Sequence, residues 1–475
     1  MFDYRDQVLR RLASLSPRYL PFADVATAEV PLSRLLRFSL FQFSVGMALV
    51  LLVGTLNRVM IVELQVPASL VAGMVALPLI FAPLRSWIGH KSDVHVSAFG
   101  WRRLPYIWKG TLYQFGGFAI MPFALLVLSG YGEAVDAPRW IGLTSAAVAF
   151  LLVGAGVHMV QTVGLALATD LVREEDQPKV VGLMYVMLLF GMVLSALAFG
   201  ALLEAYTPGR LIRVIQGAAV MTVALNLVAM WKQEARNRAR ASAVLGKPQR
   251  RFAEAWGPHI RRPGRLALLS VVALGTFGFG AADVLLEPYG GQALGLTVAE
   301  TTRLTALLAG GTLIGFALAS RWLGRGASAH RFGLVGALIG VPGFAAIILA
   351  SFGGGVAMFV AGTVLTGLGA GLFSHATLTA AMRSAPRDQI GLTLGTWGAV
   401  QATSAGLGVV LAGVVRDLLS GAQVASSTPY SVVFLVEIAF LLLASAGLIR
   451  LLTGGQPADS GPNAKVLQPK PVEAS

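Results

Sequence analysis

Twelve times along this chain the sequence stays apolar for about 20 residues, the length an α-helix needs to cross the hydrocarbon core of a bilayer. Hydrocarbon offers a backbone amide no water to bond to, so each run must satisfy its own N–H and C=O groups, as a helix does. The runs fall at about 35–57, 67–88, 106–129, 139–170, 180–204, 211–231, 266–288, 301–322, 331–352, 356–382, 391–416 and 430–453. The expected fold class is therefore an all-α polytopic membrane protein. Composition agrees: 13% of residues are charged and 55% hydrophobic, where a soluble domain carries about 25% charged residues.

A net charge of +14 would suggest a nucleic-acid partner in a soluble protein. In a membrane protein the position of the basic residues matters more, because cytoplasmic loops collect Lys and Arg. With both termini placed inside, only Arg58, Arg139, Arg210, Arg213, Arg303 and Arg416 of the 37 Lys and Arg residues fall on the outer side. Both termini are accordingly expected in the cytoplasm, with no nucleic acid as partner. Residues 1–34 form a basic cytoplasmic segment without the apolar core and small-residue cleavage site of a signal peptide. Residues 232–265 carry ten basic side chains against Glu234 and Glu254, with Pro248, Pro258 and Pro263. This reads as a basic cytoplasmic linker lying near anionic lipid. It divides an N-terminal six-helix half, 35–231, from a C-terminal half, 266–453. The polar tail 454–475 is expected to be disordered. The sequence holds no cysteine, which excludes disulfides, thiol catalysis and zinc–thiolate sites. It shows no nucleotide loop, metal-ligand cluster or nucleophile-and-base spacing, so no enzyme is expected.

The halves echo each other. Gly54-Thr-Leu-Asn-Arg-Val-Met-Ile-Val-Glu63 ends the first run and Gly280-Ala-Ala-Asp-Val-Leu-Leu-Glu287 the seventh, and the connections 173–182 and 383–391 correspond. Repeated six-span halves are the architecture of secondary transporters.

Between the second and third runs, Gly89, Asp93, Gly100, Arg102 and Arg103 form a pattern that resembles the inner loop of the major facilitator superfamily. That resemblance implies two pseudo-symmetric six-helix halves that rock against each other. Asp93 would accept hydrogen bonds at a helix N-terminus, and the paired arginines would hold Asp170 as a conformational latch. The loop departs from the superfamily pattern in its extra residues before Gly100 and in Val94, which stands where a basic residue is usual. A closer resemblance spans nearly the whole chain. Leu35-Leu-Arg-Phe-Ser-Leu-Phe-Gln42, Gly54–Leu64, Gly89–Pro105 and above all Asp283-Val-Leu-Leu-Glu-Pro-Tyr-Gly-Gly291 look like the PucC/LhaA group, the bacteriochlorophyll-delivery branch of that superfamily in purple phototrophic bacteria. It implies an assembly factor for light-harvesting antenna complexes that binds bacteriochlorophyll or delivers it to antenna polypeptides. The implied location is the bacterial inner or intracytoplasmic membrane. The implied partners are antenna polypeptides, bacteriochlorophyll or its synthesis enzymes, and lipid. Core-antenna and peripheral-antenna factors are not separated by it. The alternative is a secondary active transporter of a small or lipid-like solute, coupled to protons through Asp283 or Glu287.

Charges within membrane spans are costly and generally face a partner or a cavity. Arg58 and Glu63 close the first run, and Asp283 and Glu287 lie in the seventh with Pro288, Tyr289, Gly290 and Gly291. A charge gate is expected here, Arg58 pairing with Asp283 or Glu287 to shut the outer side; a purely structural ion pair is the plainer reading. His158 and His375 lie deep in runs four and ten, in opposite halves. A neutral imidazole suits a chlorin magnesium, and equally a hydrogen bond to a neighbouring helix. Gln42, Gln161, Asp170 and Gln401 are cavity candidates or interhelical hydrogen-bond partners, and the glycines of 367–371 permit close helix approach.

Overall fold

The computed structural model describes residues 30–80, 88, 92, 101, 103–130, 134, 136–173, 177–234, 260–280, 282–323, 325–384, 390–420 and 427–453. Among these, twelve membrane-length or near-membrane-length helical spans follow one another. In the first half they are α1 (Leu32–Leu49 continued by π-helical turns to Glu63), α2 (Ala68–Ile80), α3 (Leu104–Ser129), α4 (Arg139–Leu171), α5 (Gln177–Leu202) and α6 (Pro208–Met230). In the second they are α7 (Arg265–Gly280 continued by Ala282–Leu294), α8 (Val298–Leu323), α9 (Ala329–Leu349), α10 (Gly355–Arg383), α11 (Ile390–Ser420) and α12 (Thr428–Thr453). Helix starts follow local chemistry. Thr207 accepts a hydrogen bond from Arg210 N ahead of Pro208 at the start of α6. Thr297 and Glu300 form a reciprocal capping box that opens α8.

The first and seventh spans run furthest past their expected ends. The first does not stop near residue 57 but widens into π-helical turns at Val50–Leu56 and Val59–Glu63. Arg58 and Glu63 pair with each other, so their charges do not force the helix to end. The seventh continues through Pro288 to Leu294, because the carbonyl that the proline deprives of a donor finds another partner, described below. Conversely, α9 and α10 are separated by Phe352 and Gly353, the glycine at φ 106°, a conformation open to glycine and strained for other residues.

Within each half the helices pack mainly on one another, and one buried apolar cluster runs through both halves. In the first, α1 packs on α4, α5 and α6, α3 on α4 and α6, and α2 on α4. In the second, α7 packs on α11 and α12, α8 on α10, and α9 on α10 and α12. The halves meet along α2–α11 and α5–α8, contacts that exchange under the pseudo-two-fold relating the halves, and at one end of α1 and α7. The glycines of α10 serve packing. A Cβ at Gly367 or Gly371 would collide with the α8 backbone at Leu308 or Thr312, so this face is fixed by backbone contact.

A buried polar staple holds the first half together. Ser44 of α1 donates to Asn226 Oδ1 of α6 at 2.7 Å, and Asn226 Nδ2 donates to Thr111 of α3 at 2.9 Å. In hydrocarbon a partner left alone is penalised beyond the bond itself. Asn226→Ala is expected to destabilise the protein by about 1–3 kcal/mol, read as a lower melting temperature in detergent, while Asn226→Asp should retain part of the loss. A melting temperature unchanged in Asn226→Ala would show that the staple carries no stability.

Candidate functional site

At the end of the bundle that carries the termini, Arg103 opens α3. Its Nε donates to Asp170 Oδ2 at 2.6 Å at the end of α4, its Nη1 donates to Ser92, and its backbone N–H together with that of Leu104 donates to the Glu234 carboxylate. The side chain thus ties α3 to the end of α4, and the backbone amides tie it to the segment after α6, all within the first half. Gly89, Asp93, Gly100 and Arg102 lie outside the described residues. Glu234 was not singled out in the sequence; an acidic residue in an otherwise basic linker was its only signal.

The opposite end, called the far end here, is where the halves are joined by polar contacts. A proline removes the amide that would bond to the carbonyl four residues earlier. Pro288 therefore leaves Val284 O without its helical donor, and Asn57 Nδ2 of α1 takes the vacancy across the halves. One residue on, Arg58 donates through Nη2 to Leu296 O, just beyond α7, at 3.0 Å. Gly291 makes room for it, since a Cβ there would press on the guanidinium. Thr55 and Thr302 lie 3.3 Å apart oxygen to oxygen. The expected pairing of Arg58 with Glu287 is not the arrangement found. Arg58 is bonded to Glu63 of its own span, and Glu287 accepts from Thr305 of α8. The cause is depth: Gly54, a turn below Arg58, is the residue packed against the Glu287 carboxylate. The side chain of Asp283 lies outside the described residues. Tyr206, between α5 and α6, faces this cluster. Burial, with the Glu63 charge adding to it against Arg58, pushes its phenol up to about 12, so it stays a neutral donor.

A second clasp joins α11 to α2. Asp417 accepts from the backbone N–H groups of Ala68 and Ser69 at 3.1 and 2.7 Å, capping the α2 N-terminus from the other half. Arg416 donates to Asp417 and to Gln292, and Tyr430 also donates to Gln292. Tyr289, fully buried, donates to Ile347 O at 2.9 Å and meets Phe359, Tyr430 and Phe434 edge-on. The segment Val284–Gly291 therefore has a division of labour. Val284 offers the carbonyl, Pro288 frees it, Tyr289 anchors the segment within its own half, and Gly291 admits Arg58. Asn57, Thr302, Gln292, Arg416 and Asp417 were not identified from sequence. Asn57 stood inside a quoted motif, and the Arg416-Asp417 charge pair at the end of the eleventh run was the other available signal.

Beneath this closure, α1, α5, α7 and α8 surround a cavity of about 90 Å³ lined by Leu49, Val53, Met192, Leu286, Leu308 and, as its acidic group, Glu287. That is room for several waters. His158 and His375 do not line it. His375, on α10, lies tilted against Phe316 of α8 with ring centroids 4.1 Å apart, and its Nδ1 is buried without a hydrogen-bond partner; that nitrogen has the chemistry of an axial ligand. His158 sits half-buried on α4 in the other half. Gln42 is fully buried in α1, and Gln401 half-buried in α11.

Asn57→Ala would leave Val284 O unpaired and weaken the closure by about 1–3 kcal/mol. The expected result is increased accessibility to a membrane-impermeant thiol reagent at an engineered Ala299→Cys, buried near the start of α8 against α5. Asp417→Asn should act in the same direction. Unchanged labelling rates in both variants would mean that these contacts do not hold the halves shut.

The matches to known proteins follow the fold and the motif. The family model described as PUCC protein matches residues 55–455. The chain is 66% identical to Protein PucC of Rhodobacter capsulatus over 95% of its own length and 99% of that protein. It is 27% identical to the Bacteriochlorophyll synthase 44.5 kDa chain of the same species over 81% of this chain and 88% of that one. Among solved structures, a nucleoside transporter NupG mutant superposes with a TM-score of 0.67 at 10% identity, covering 88% of this chain and 99% of the other; this establishes the major-facilitator fold alone. The chain belongs to the PUCC protein family.

Proposed function

We propose that this protein is an assembly factor for the light-harvesting antenna complexes of purple phototrophic bacteria, a transporter scaffold put to work on pigment and antenna polypeptides within the membrane. The observation that carries the reading is the kinship with Protein PucC over almost the full length of both chains, and the relative named for bacteriochlorophyll synthase points to the same pigment. The interior suits such a role. The cavity beneath the far-end closure is lined mainly by apolar side chains, with Glu287 and Thr305 as its polar groups, a lining of the kind that takes greasy ligands. On this reading the protein lies in the inner or intracytoplasmic membrane, both termini and the basic linker are cytoplasmic, and the far end is periplasmic.

The pigment is bacteriochlorophyll, bound or delivered to antenna polypeptides, with His375 and His158 as the candidate imidazole ligands of its magnesium. A second reading, secondary transport of a lipid-like solute, draws on one observation: a buried carboxyl between two halves of transporter fold.

Purification from pigmented membranes in mild detergent tests the proposal. A bacteriochlorophyll absorption band or co-purifying antenna polypeptide is expected; neither of these, together with a measurable solute flux in vesicles, would sink it. If pigment is retained, His375→Leu is expected to reduce the pigment-to-protein ratio severalfold and His158→Leu to do so if both halves contact the ring. Retention unchanged in both would remove the histidines from the pigment path.

A further inference from the structure

Glu287 is set apart from the other acidic side chains of the closure. It is 3% exposed. One oxygen accepts from Thr305 of α8, and the other is buried without a hydrogen-bond partner. The α1 backbone at Gly54 closes over the carboxyl directly, and the rest of its surroundings are Leu49, Val53, Met192, Leu286, Leu304 and Leu308. The charged groups on the neighbouring helices make their bonds elsewhere, although the Arg58 charge still favours the Glu287 anion from a distance. Arg58 of α1 is bonded to Glu63 and Leu296 O, and Arg303 of α8 lies 3.8 Å from Glu204 at the end of α5. From α5 itself the cavity receives Met192, which is uncharged. Asp283 is one turn away on α7, described in its backbone only, and Tyr206 remains neutral above Arg58 and Glu63.

A carboxylate with one bare oxygen in an apolar enclosure is strongly disfavoured, whereas a neutral carboxyl fits there readily. We propose that Glu287 is a proton-binding site at the junction of the two halves: the carboxyl holds a proton while the far end is closed and releases it when α1 and α7 part. Protonation removes the charge that the closed enclosure cannot solvate. Separation of Gly54 from α7 lets water reach the freed oxygens, and the anion becomes the favoured form. A ligand that binds one of two states shifts the balance toward it, so acid favours closure and alkali favours opening, with one proton exchanged per event. This linkage does not depend on what the protein assembles or carries.

The absence of cysteine makes the test direct. Spin labels at Ala205→Cys in the first half and Leu418→Cys in the second, both exposed at the far end, report its opening in lipid nanodiscs by distance measurement. The intact protein is expected to gain a longer-distance population as pH rises from acid to alkaline. Glu287→Gln, a permanently neutral mimic, should show the short distance throughout. A distribution independent of pH in the parent, or a full pH response in Glu287→Gln, overturns the proposal. Infrared difference spectra provide a second readout: the C=O stretch of a protonated carboxyl should be present in the closed protein and lost in Glu287→Gln. Should that variant not accumulate, Glu287→Asp must shift the band; a band that is absent from the parent or unmoved in Glu287→Asp also overturns it.

Discussion

A carbonyl group in hydrocarbon must find a donor, and in this protein a proline denies one to Val284. In water the vacancy would cost little, because solvent would fill it. Within a membrane an unsatisfied carbonyl costs several kcal/mol, so a second helix must come close enough to supply the missing hydrogen. Asn57 does so. Because it stands on the other half of the molecule, satisfying one backbone atom also joins the two halves. The adjacent Arg58–Leu296 contact and the Thr55–Thr302 approach exploit the proximity that this bond demands.

Apart from the solvent-exposed Arg303–Glu204 pair, the closure among the described residues is a matter of donors finding carbonyls and backbone amides finding a carboxylate. Arg58 and Glu63 neutralise one another on a single helix. Asp417 spends its charge on the amides of Ala68 and Ser69. A seam of this kind is directional. A small rotation of α1 or α2 misaligns its bonds, whereas a bare ion pair tolerates movement and weakens gradually with distance. Such a closure favours two discrete arrangements of the halves over a continuum.

The fold was legible because its governing constraint is local. Span length, the scarcity of charge within spans and the basic linker each follow from a membrane's demands on consecutive residues, and the segment around Asp283–Gly291 marked the family. What escaped was relational. Nothing near Asn57 states that it will reach Val284, and nothing near Asp417 states that it will cap a helix almost 350 positions earlier in the chain. Arg58 and Glu63 looked like the place where a span meets water. They are instead a pair whose mutual bond lets the helix go on, and Pro288 looked more terminal than it is, because its orphaned carbonyl is rescued from afar. Glu287 was recognisable as costly in sequence, but its partner depended on how deep Gly54 would sit.

The Arg58–Glu63 pair also bears on how the molecule comes to exist. A polytopic chain enters the membrane in order of synthesis, so α1 must reside in lipid before α7, α8 or α11 has been made. During that interval Leu296 O does not yet exist to receive the guanidinium, and a lone arginine would hinder insertion. A counter-ion five residues away on the same helix is present from the moment the helix forms. It allows the far end of the first span to enter without a net charge, and the bond across the molecule can be added when the second half arrives.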